Sequence, residues 1–334
     1  MTTTTLVTLP RSIYIEPTSR CNEFCQQCPR TLLSREDDRD LSFEKFREIV
    51  DQFPILERVV LHGLGEPLLN SELPLMIRYL KERGTYVLFN SNGIVLTDRK
   101  GQELIDAGLD EYRLSMDGAT RETYARVRGV DAFDKIWRNV QAFVALQKER
   151  QAEKPAVSLW FTAMRTNLHE LPALVELAGQ YGVGEVYMQR FVYFEKGLAT
   201  EQQALFHRAT AEEMEIVHRC ERMSKERGIR FRAAGAASPL ESITRDFGKR
   251  PWSGCLRPYN LTYITSSGNV LSCCFAPFGH RSAREYYEER VLGNVFQEPI
   301  AAIWQGERYQ AFRRAFESET PARHCAQCGL NWSY

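Results

Sequence analysis

The sequence predicts an α/β protein, with parallel strands wound by helices over the first two-thirds and a small α+β region after them. Three observations carry this. Short β-rich runs alternate with segments of helical spacing as far as residue 189. The rhythm breaks near residue 200, where a long polar helical pattern begins. Five of the nine cysteines then fall after residue 250, around a hairpin signal.

The strands are expected at 12–16, 58–62, 86–90, 111–115, 157–162 and 185–189. The segments between them carry one-sided apolar stripes: Phe43, Phe46, Ile49 and Val50; Leu73, Met76, Ile77 and Leu80; Phe133, Ile136, Trp137, Val140 and Val144; Leu174, Val175, Leu177 and Ala178. Strand, helix, strand, repeated about six times, means βαβ units on a parallel sheet. Pattern alone leaves open a partial barrel or an open doubly wound sheet. A helix is expected over 201–228 and a short strand over 229–233. Small, Gly- and Pro-containing stretches at 234–238 and 248–254 read as linker. The runs 261–265 and 270–273, separated by Ser266-Ser267-Gly268-Asn269, read as a hairpin. The expected division is 1–200, a helical bridge and linker at 201–250, and a domain at 251–334.

Composition bounds the function. The chain has 334 residues, 43% hydrophobic and 26% charged, which are the values of a folded protein. Forty-three basic residues balance 43 acidic ones, so no basic nucleic-acid footprint exists overall. No apolar run approaches the ~18 residues of a membrane span, and the Thr-rich start has no signal-peptide pattern. A cytoplasmic protein with neither nucleic-acid nor membrane partner is expected. An odd number of cysteines in such a chain points to metal or catalytic thiols, not a disulfide scaffold.

Cys21-x3-Cys25-x2-Cys28 follows the first strand, at the strand end where ligands bind in such sheets. Three thiolates on one loop suit three irons of a cubane, leaving the fourth iron open. Downstream, Gly63-Leu64-Gly65-Glu66-Pro67 follows the second strand, Asn90-Ser91-Asn92-Gly93 the third, and Ser115-Met116-Asp117-Gly118 the fourth. Glycines admit close backbone approach, and Glu66 suits an ammonium. A second set, Cys255-x17-Cys273 with Cys325-x2-Cys328, has the makings of one four-thiol site, either structural zinc or a fully ligated [4Fe–4S] cluster. Cys274 adjoins it. Cys220 lies at helical spacing from Val217 and Met223 and reads more readily as core.

Over about residues 12–195 these motifs resemble the radical S-adenosylmethionine (SAM) superfamily. The resemblance implies a partial (β/α)6 barrel, a [4Fe–4S] cluster on Cys21, Cys25 and Cys28, and SAM bound at the open iron. It places Gly65, Glu66 and Pro67 at the SAM amino group, and Asn92, Ser115, Arg165, Asn167 and Gln189 among further contacts. One departure is Gln27, where the family usually has a bulky apolar residue near adenine; Phe24 is the alternative packing group. The C-terminal cysteines resemble a SPASM or shorter twitch-type extension, which implies an auxiliary [4Fe–4S] cluster on Cys255, Cys273, Cys325 and Cys328.

The chemistry implied is reductive cleavage of SAM to a 5′-deoxyadenosyl radical that abstracts hydrogen from a C–H bond, with electrons from a flavodoxin or ferredoxin. Because the triplet begins at residue 21, with no peptide-recognition segment before it, the expected substrate is a sugar, aminocyclitol or nucleoside from natural-product biosynthesis. The expected outcome is epimerisation or alcohol dehydrogenation, with Cys220 and Cys274 as hydrogen-donor candidates. Two other readings are a peptide (RiPP) maturase and a zinc-bearing scaffold without SAM turnover.

Overall fold

A computed structural model describes residues 8–33, 37–206, 208–235, 238–244, 250, 252–277 and 289–326. Its strands are β1 (Ser12–Ile15), β2 (Arg58–Leu61), β3 (Tyr86–Ser91), β4 (Glu111–Ser115), β5 (Ala156–Thr162), β6 (Glu185–Gln189), β7 (Arg230–Ala233), β8 (Leu261–Ile264), β9 (Asn269–Leu271) and β10 (Gly293–Asn294). The described residues fall into two compact units that are not consecutive in sequence. One draws on 1–20, 33–87 and 247–333, the other on 21–32 and 88–246.

In the first unit the strand order is β10-β9-β8-β1-β2. β1 pairs in parallel with β2 on one side and with β8 on the other, Ser12 opposite both Arg58 and Leu261. β8, β9 and β10 follow each other antiparallel. β2 reads Arg-Val-Val-Leu with its three apolar residues buried, as a parallel strand covered on both faces requires. The helix Phe43–Val50 starts where the Ser42 side chain accepts from Lys45 N–H, and it buries Phe46, Ile49 and Val50. The helix Leu73–Glu82 buries the predicted stripe of Leu73, Met76, Ile77 and Leu80.

In the second unit β3-β4-β5-β6-β7 are all parallel neighbours. The helix Phe133–Glu149 buries Ile136, Trp137, Val140, Phe143 and Val144; Leu171–Gln180 buries Leu174, Val175 and Ala178, with Leu177 half-buried. The helix Arg121–Arg128 is capped by Thr120 and stops at Gly129, which sits in the left-handed region at φ 71°.

All six predicted strands form, in a mixed α/β arrangement of parallel strands with a C-terminal α+β part. Two expectations are corrected. The helix expected over 201–228 is Ala211–Glu226, preceded by a separate 3-10 turn at Glu201–Gln203. Thr210 and Glu213 form a capping box that fixes the later start. The hairpin strands end earlier than expected, so Cys273 lies beyond β9. Gly268, at φ 86°, turns between them. The pairing of β8 with β1 has no local sequence signal, because a short apolar strand does not name its neighbour. Among the described residues no helix is long and apolar enough to cross a membrane.

Candidate active site and second cysteine site

In the second unit the cysteine loop is tied to the end of the helix Arg121–Arg128. Phe24 N–H donates to Arg128 O at 3.2 Å, and Gln26 N–H to Val127 O at 2.8 Å. The approach is close enough that a Cβ on Gly129 would lie 2.4 Å from Phe24 O, so glycine is required for space as well as for φ. Cys25 is buried, Cys21 and Cys28 half-buried, and none of the three is in a disulfide. Burial raises the Cys28 pKa, against the backbone N–H groups of Arg30 and Thr31 that face its sulfur.

Around Cys25 lies a buried ionic cluster. Arg128 Nη1 is 3.1 Å from Glu23 Oε2 and donates to Cys25 Sγ at 3.6 Å. Arg128 Nε lies 3.0 Å from Asp117 Oδ2, an ion pair without the angle of a hydrogen bond. Tyr124 OH donates to Glu23 Oε1, and the Cys25 thiol to Glu23 Oε2 at 3.3 Å. Burial works against the Arg128 charge, but Asp117 and Glu23 outweigh it and the guanidinium pKa rises. Burial pushes Cys25 well above the usual thiol range, with Arg128 opposing, and raises Glu23 as well. Asp117 is held in place by Thr162 N–H at 2.7 Å and takes Gln27 Nε2 at 2.8 Å. Gln27 is thus spent on Asp117, while Phe24 is 57% exposed.

The remaining predicted contacts in this unit divide. Asn92 is brought to the loop, its Nδ2 donating to Asn22 Oδ1 at 2.7 Å. Ser115 ends β4, half-buried, two residues before Asp117. Asn167 Nδ2 donates to Asp117 O at 3.0 Å. Arg165 is taken up elsewhere, by Arg208 O at 2.5 Å and Glu213 Oε1 at 3.2 Å. Gln189 ends β6 and lines a pocket with Arg190, Phe191 and Phe206. Sequence reasoning missed Glu23, Tyr124 and Arg128. The only signal near Arg128 was the glycine after it, which marks a helix end and says nothing of a charge beside a cysteine.

In the first unit the Gly65 loop presses on the end of the β1 segment. A Cβ on Gly65 would lie 2.0 Å from Thr18 O, and Glu66 N–H donates to Arg20 O at 2.7 Å. The Glu66 carboxylate is buried, with Oε1 accepting from Leu68 N–H at 3.1 Å, and Pro67 opens the 3-10 turn Pro67–Leu69. Glu16, which the sequence did not single out, anchors this loop. Its Oε1 accepts from Leu64 N–H at 2.8 Å and its Oε2 from the Ser266 hydroxyl at 3.0 Å.

The same unit holds the second cysteine set. Cys255, Cys273 and Cys325 line one cavity, walled by Trp252, Phe312 and His324. Burial raises the Cys255 thiol, opposed by the N–H of Arg257, and pushes Cys273 up to about 12, opposed by Arg257 and the N–H of Phe275. His324 stacks on Phe312 and is within 3.1 Å of Ser272 Oγ; burial lowers its pKa to about 3. Cys274 is not part of that lining; its sulfur accepts from Arg257 Nη1 at 2.9 Å. Cys328 lies outside the described residues. Cys220 is fully buried on the helix Ala211–Glu226, and burial pushes its pKa to about 12. So enclosed a thiol fits the core reading that its helical spacing suggested.

The described cysteines of both sets fit iron–sulfur clusters by donor chemistry: their thiols are free, and N–H groups are aimed at the sulfurs of Cys28, Cys255 and Cys273. Among the described residues no three His, Cys, Asp or Glu side chains gather to share one ion. A cubane asks instead for one thiolate on each iron.

The comparisons agree with this chemistry. The radical SAM superfamily profile matches residues 15–178, and an iron–sulfur cluster-binding (SPASM) domain matches 255–329. The AdoMet-dependent heme synthase of Methanosarcina barkeri is 25% identical, over 96% of this chain and 88% of its own. The PqqA peptide cyclase of Granulibacter bethesdensis is 24% identical, over 97% and 81%. Among solved structures, Streptococcus suis SuiB bound to its precursor peptide SuiA superposes with a TM-score of 0.68 at 15% identity, over 93% of this chain and 68% of that one. These findings correct the expected sugar, aminocyclitol or nucleoside substrate and the epimerase or alcohol dehydrogenase outcome. The position of Cys21 does not exclude a peptide, since a peptide cyclase matches nearly the whole chain. The hydrogen-donor role of Cys274, which depended on epimerisation, goes with it. The chain belongs to the radical SAM superfamily, with a C-terminal SPASM domain, and is a radical SAM enzyme that works with SAM and [4Fe–4S] clusters.

Proposed function

We propose that this enzyme modifies a peptide by radical chemistry. The observation that carries the substrate class is the similarity to PqqA peptide cyclases along nearly the full chain. SAM, when bound and reductively cleaved, supplies the hydrogen-abstracting species. In this proposal residues 1–200 carry that chemistry, 201–250 bridge, and 251–334 house the auxiliary cluster. Cys21, Cys25 and Cys28 hold the first cluster; Cys255, Cys273, Cys325 and Cys328 hold the second. Gly65, Glu66 and Pro67 offer a backbone rim and a carboxylate to the SAM ammonium, with Glu66 Oε1 already steadied by Leu68 N–H. Asn92, Ser115 and Gln189 are polar groups at the carboxyl ends of β3, β4 and β6, and in this reading they orient SAM. A fully ligated second cluster passes electrons and leaves substrate binding to the protein. The similarity to heme synthases supports a second reading, in which the substrate is a tetrapyrrole.

The test is anaerobic incubation of the reconstituted full chain with SAM, dithionite and the short peptide encoded nearest to its gene. Mass spectrometry should find the peptide altered in step with release of 5′-deoxyadenosine. Release of 5′-deoxyadenosine with an unchanged peptide, alongside conversion of an iron porphyrin in a parallel reaction, would replace the peptide reading by the tetrapyrrole one.

A further inference from the structure

We propose that Arg128 is a positioning residue for the SAM-binding cluster: it fixes the Cys25 sulfur in ligating position and, through a charge-assisted hydrogen bond, raises the cluster's reduction potential. The inference rests on Cys25 being a cluster ligand. It is argued from three features of one corner of the second unit.

First, the contact is direct. Arg128 Nη1 donates to Cys25 Sγ at 3.6 Å, and both groups are buried, where a charge is poorly screened by water. Second, the contact is in fixed register. Backbone bonds from Phe24 and Gln26 to Arg128 and Val127 bracket Cys25, and Gly129 lets the two segments touch. Third, the guanidinium is held at both flanks, by Glu23 Oε2 at 3.1 Å and Asp117 Oδ2 at 3.0 Å. A planar fork shared among two carboxylates and a sulfur cannot swing away, and a lysine could not reproduce it.

The nitrogen that pairs with Glu23 Oε2 is the same Nη1 that reaches Cys25 Sγ, so the ion pair itself carries a donor to the sulfur. Hydrogen bonds to the sulfurs and the local charge are the protein's levers on cluster potential. An N–H donated to a ligating thiolate draws electron density from it and stabilises the reduced, more negative state. That eases the one-electron reduction on which SAM cleavage depends.

The experiment compares the parent full chain with Arg128→Lys and Arg128→Met, each reconstituted anaerobically. Circular dichroism reports the fold, iron analysis the loading, and EPR-monitored redox titration the midpoint of the signal that responds to added SAM, which separates this cluster from the second one. Arg128→Lys keeps a positive charge between Glu23 and Asp117 and so protects the fold. The expected result is a midpoint more negative than the parent's in Arg128→Lys and more negative still in Arg128→Met, with iron at this site lost most readily from Arg128→Met. Arg126→Lys, on the same helix, should leave the midpoint unchanged. A parental midpoint in Arg128→Lys with full iron loading would overturn the proposal, whatever becomes of Arg128→Met. Should Arg128→Lys keep its helix content and load no iron there, the holding role is supported. Absence of any SAM-responsive signal in the parent would overturn the ligand assignment itself, and this proposal with it.

Discussion

The two cysteine sites each carry a buried arginine against a cysteine sulfur, and they balance it differently. At the first site the groups that most raise the Arg128 pKa are carboxylates, Asp117 and Glu23. At the second, burial is again the largest influence and lowers the Arg257 pKa. The groups that overcome it are Cys274, Tyr14, Cys273 and Cys255. The first arginine is neutralised by protein charge that is present with or without a cluster. The second has Cys273 and Cys255 among its supports, two sulfurs of the proposed ligand set whose negative charge is secure only when iron holds them as thiolates, beside Cys274 and Tyr14, which are outside that set. On the proposed ligand assignments, the support around Arg128 stands without its cluster, and part of the support for Arg257 comes with the cluster.

The largest expected contrast is catalytic. Cys25→Ala should abolish 5′-deoxyadenosine formation, because the SAM-binding cluster loses a ligand. Cys273→Ala should retain SAM cleavage while product formation stops, because only the second cluster is damaged. Liquid chromatography of 5′-deoxyadenosine and product separates the two. Equal loss of SAM cleavage in both variants would break the division of labour.

Next comes backbone fit. Gly129→Ala meets both a left-handed φ and Phe24 O at 2.4 Å, whereas Gly228, at φ 66°, has nothing within 4 Å of an added Cβ. Gly129→Ala should cost about 3 kcal/mol or more and Gly228→Ala only about 1 kcal/mol, read as denaturant midpoints. Similar losses at both would show that the loop-to-helix contact is looser than described.

A third test removes iron by chelation under reducing conditions and follows amide hydrogen exchange. Exchange should rise more in 257–271, around Arg257, than in 121–128, around Arg128. The reverse order would contradict the comparison of the two arginines.

A smaller effect concerns Glu170, whose carboxylate takes Ala119 N–H at 2.6 Å, Thr120 N–H at 3.0 Å and the Thr120 hydroxyl at 2.7 Å, where the helix carrying Arg128 begins. Burial raises its pKa, but these bonds together with the Thr123 hydroxyl outweigh burial and hold it below the usual 4.5. The carboxylate form therefore stabilises the fold above pH 4.5, and this contribution fades as pH falls through the lower folded value. Glu170→Gln should cost about 1–2 kcal/mol at neutral pH and flatten the acid limb of the stability profile. An unchanged acid limb would remove Glu170 from the supports of this helix. The smallest effect is Cys220→Ala, a loss of about 1 kcal/mol in thermal unfolding with product formation intact.

Much of this was legible in the sequence, and the reason is local. The six strands and the apolar stripes rest on periodicity, and the cysteine spacings and Gly65-Glu66-Pro67 rest on contiguous residues. What was not legible is non-local. Arg128 meets Cys25 across 103 positions, and Glu16 meets Ser266 across 250. Tertiary packing alone makes such pairs. The helix expected from residue 201 failed for a local reason that was visible, the Thr210 and Glu213 capping box. The substrate misjudgement came from treating the position of Cys21 as a statement about substrate size, which spacing does not encode.

The central claim is that the two cysteine sets hold two iron–sulfur clusters. Iron, acid-labile sulfide and zinc in the anaerobically reconstituted full chain test it most directly. The account predicts ~8 Fe and ~8 sulfide per chain, falling to ~4 of each when Cys21, Cys25 and Cys28 are all changed to alanine. A parent protein with ~4 Fe and ~1 Zn would contradict it, and would make the C-terminal site a structural zinc centre.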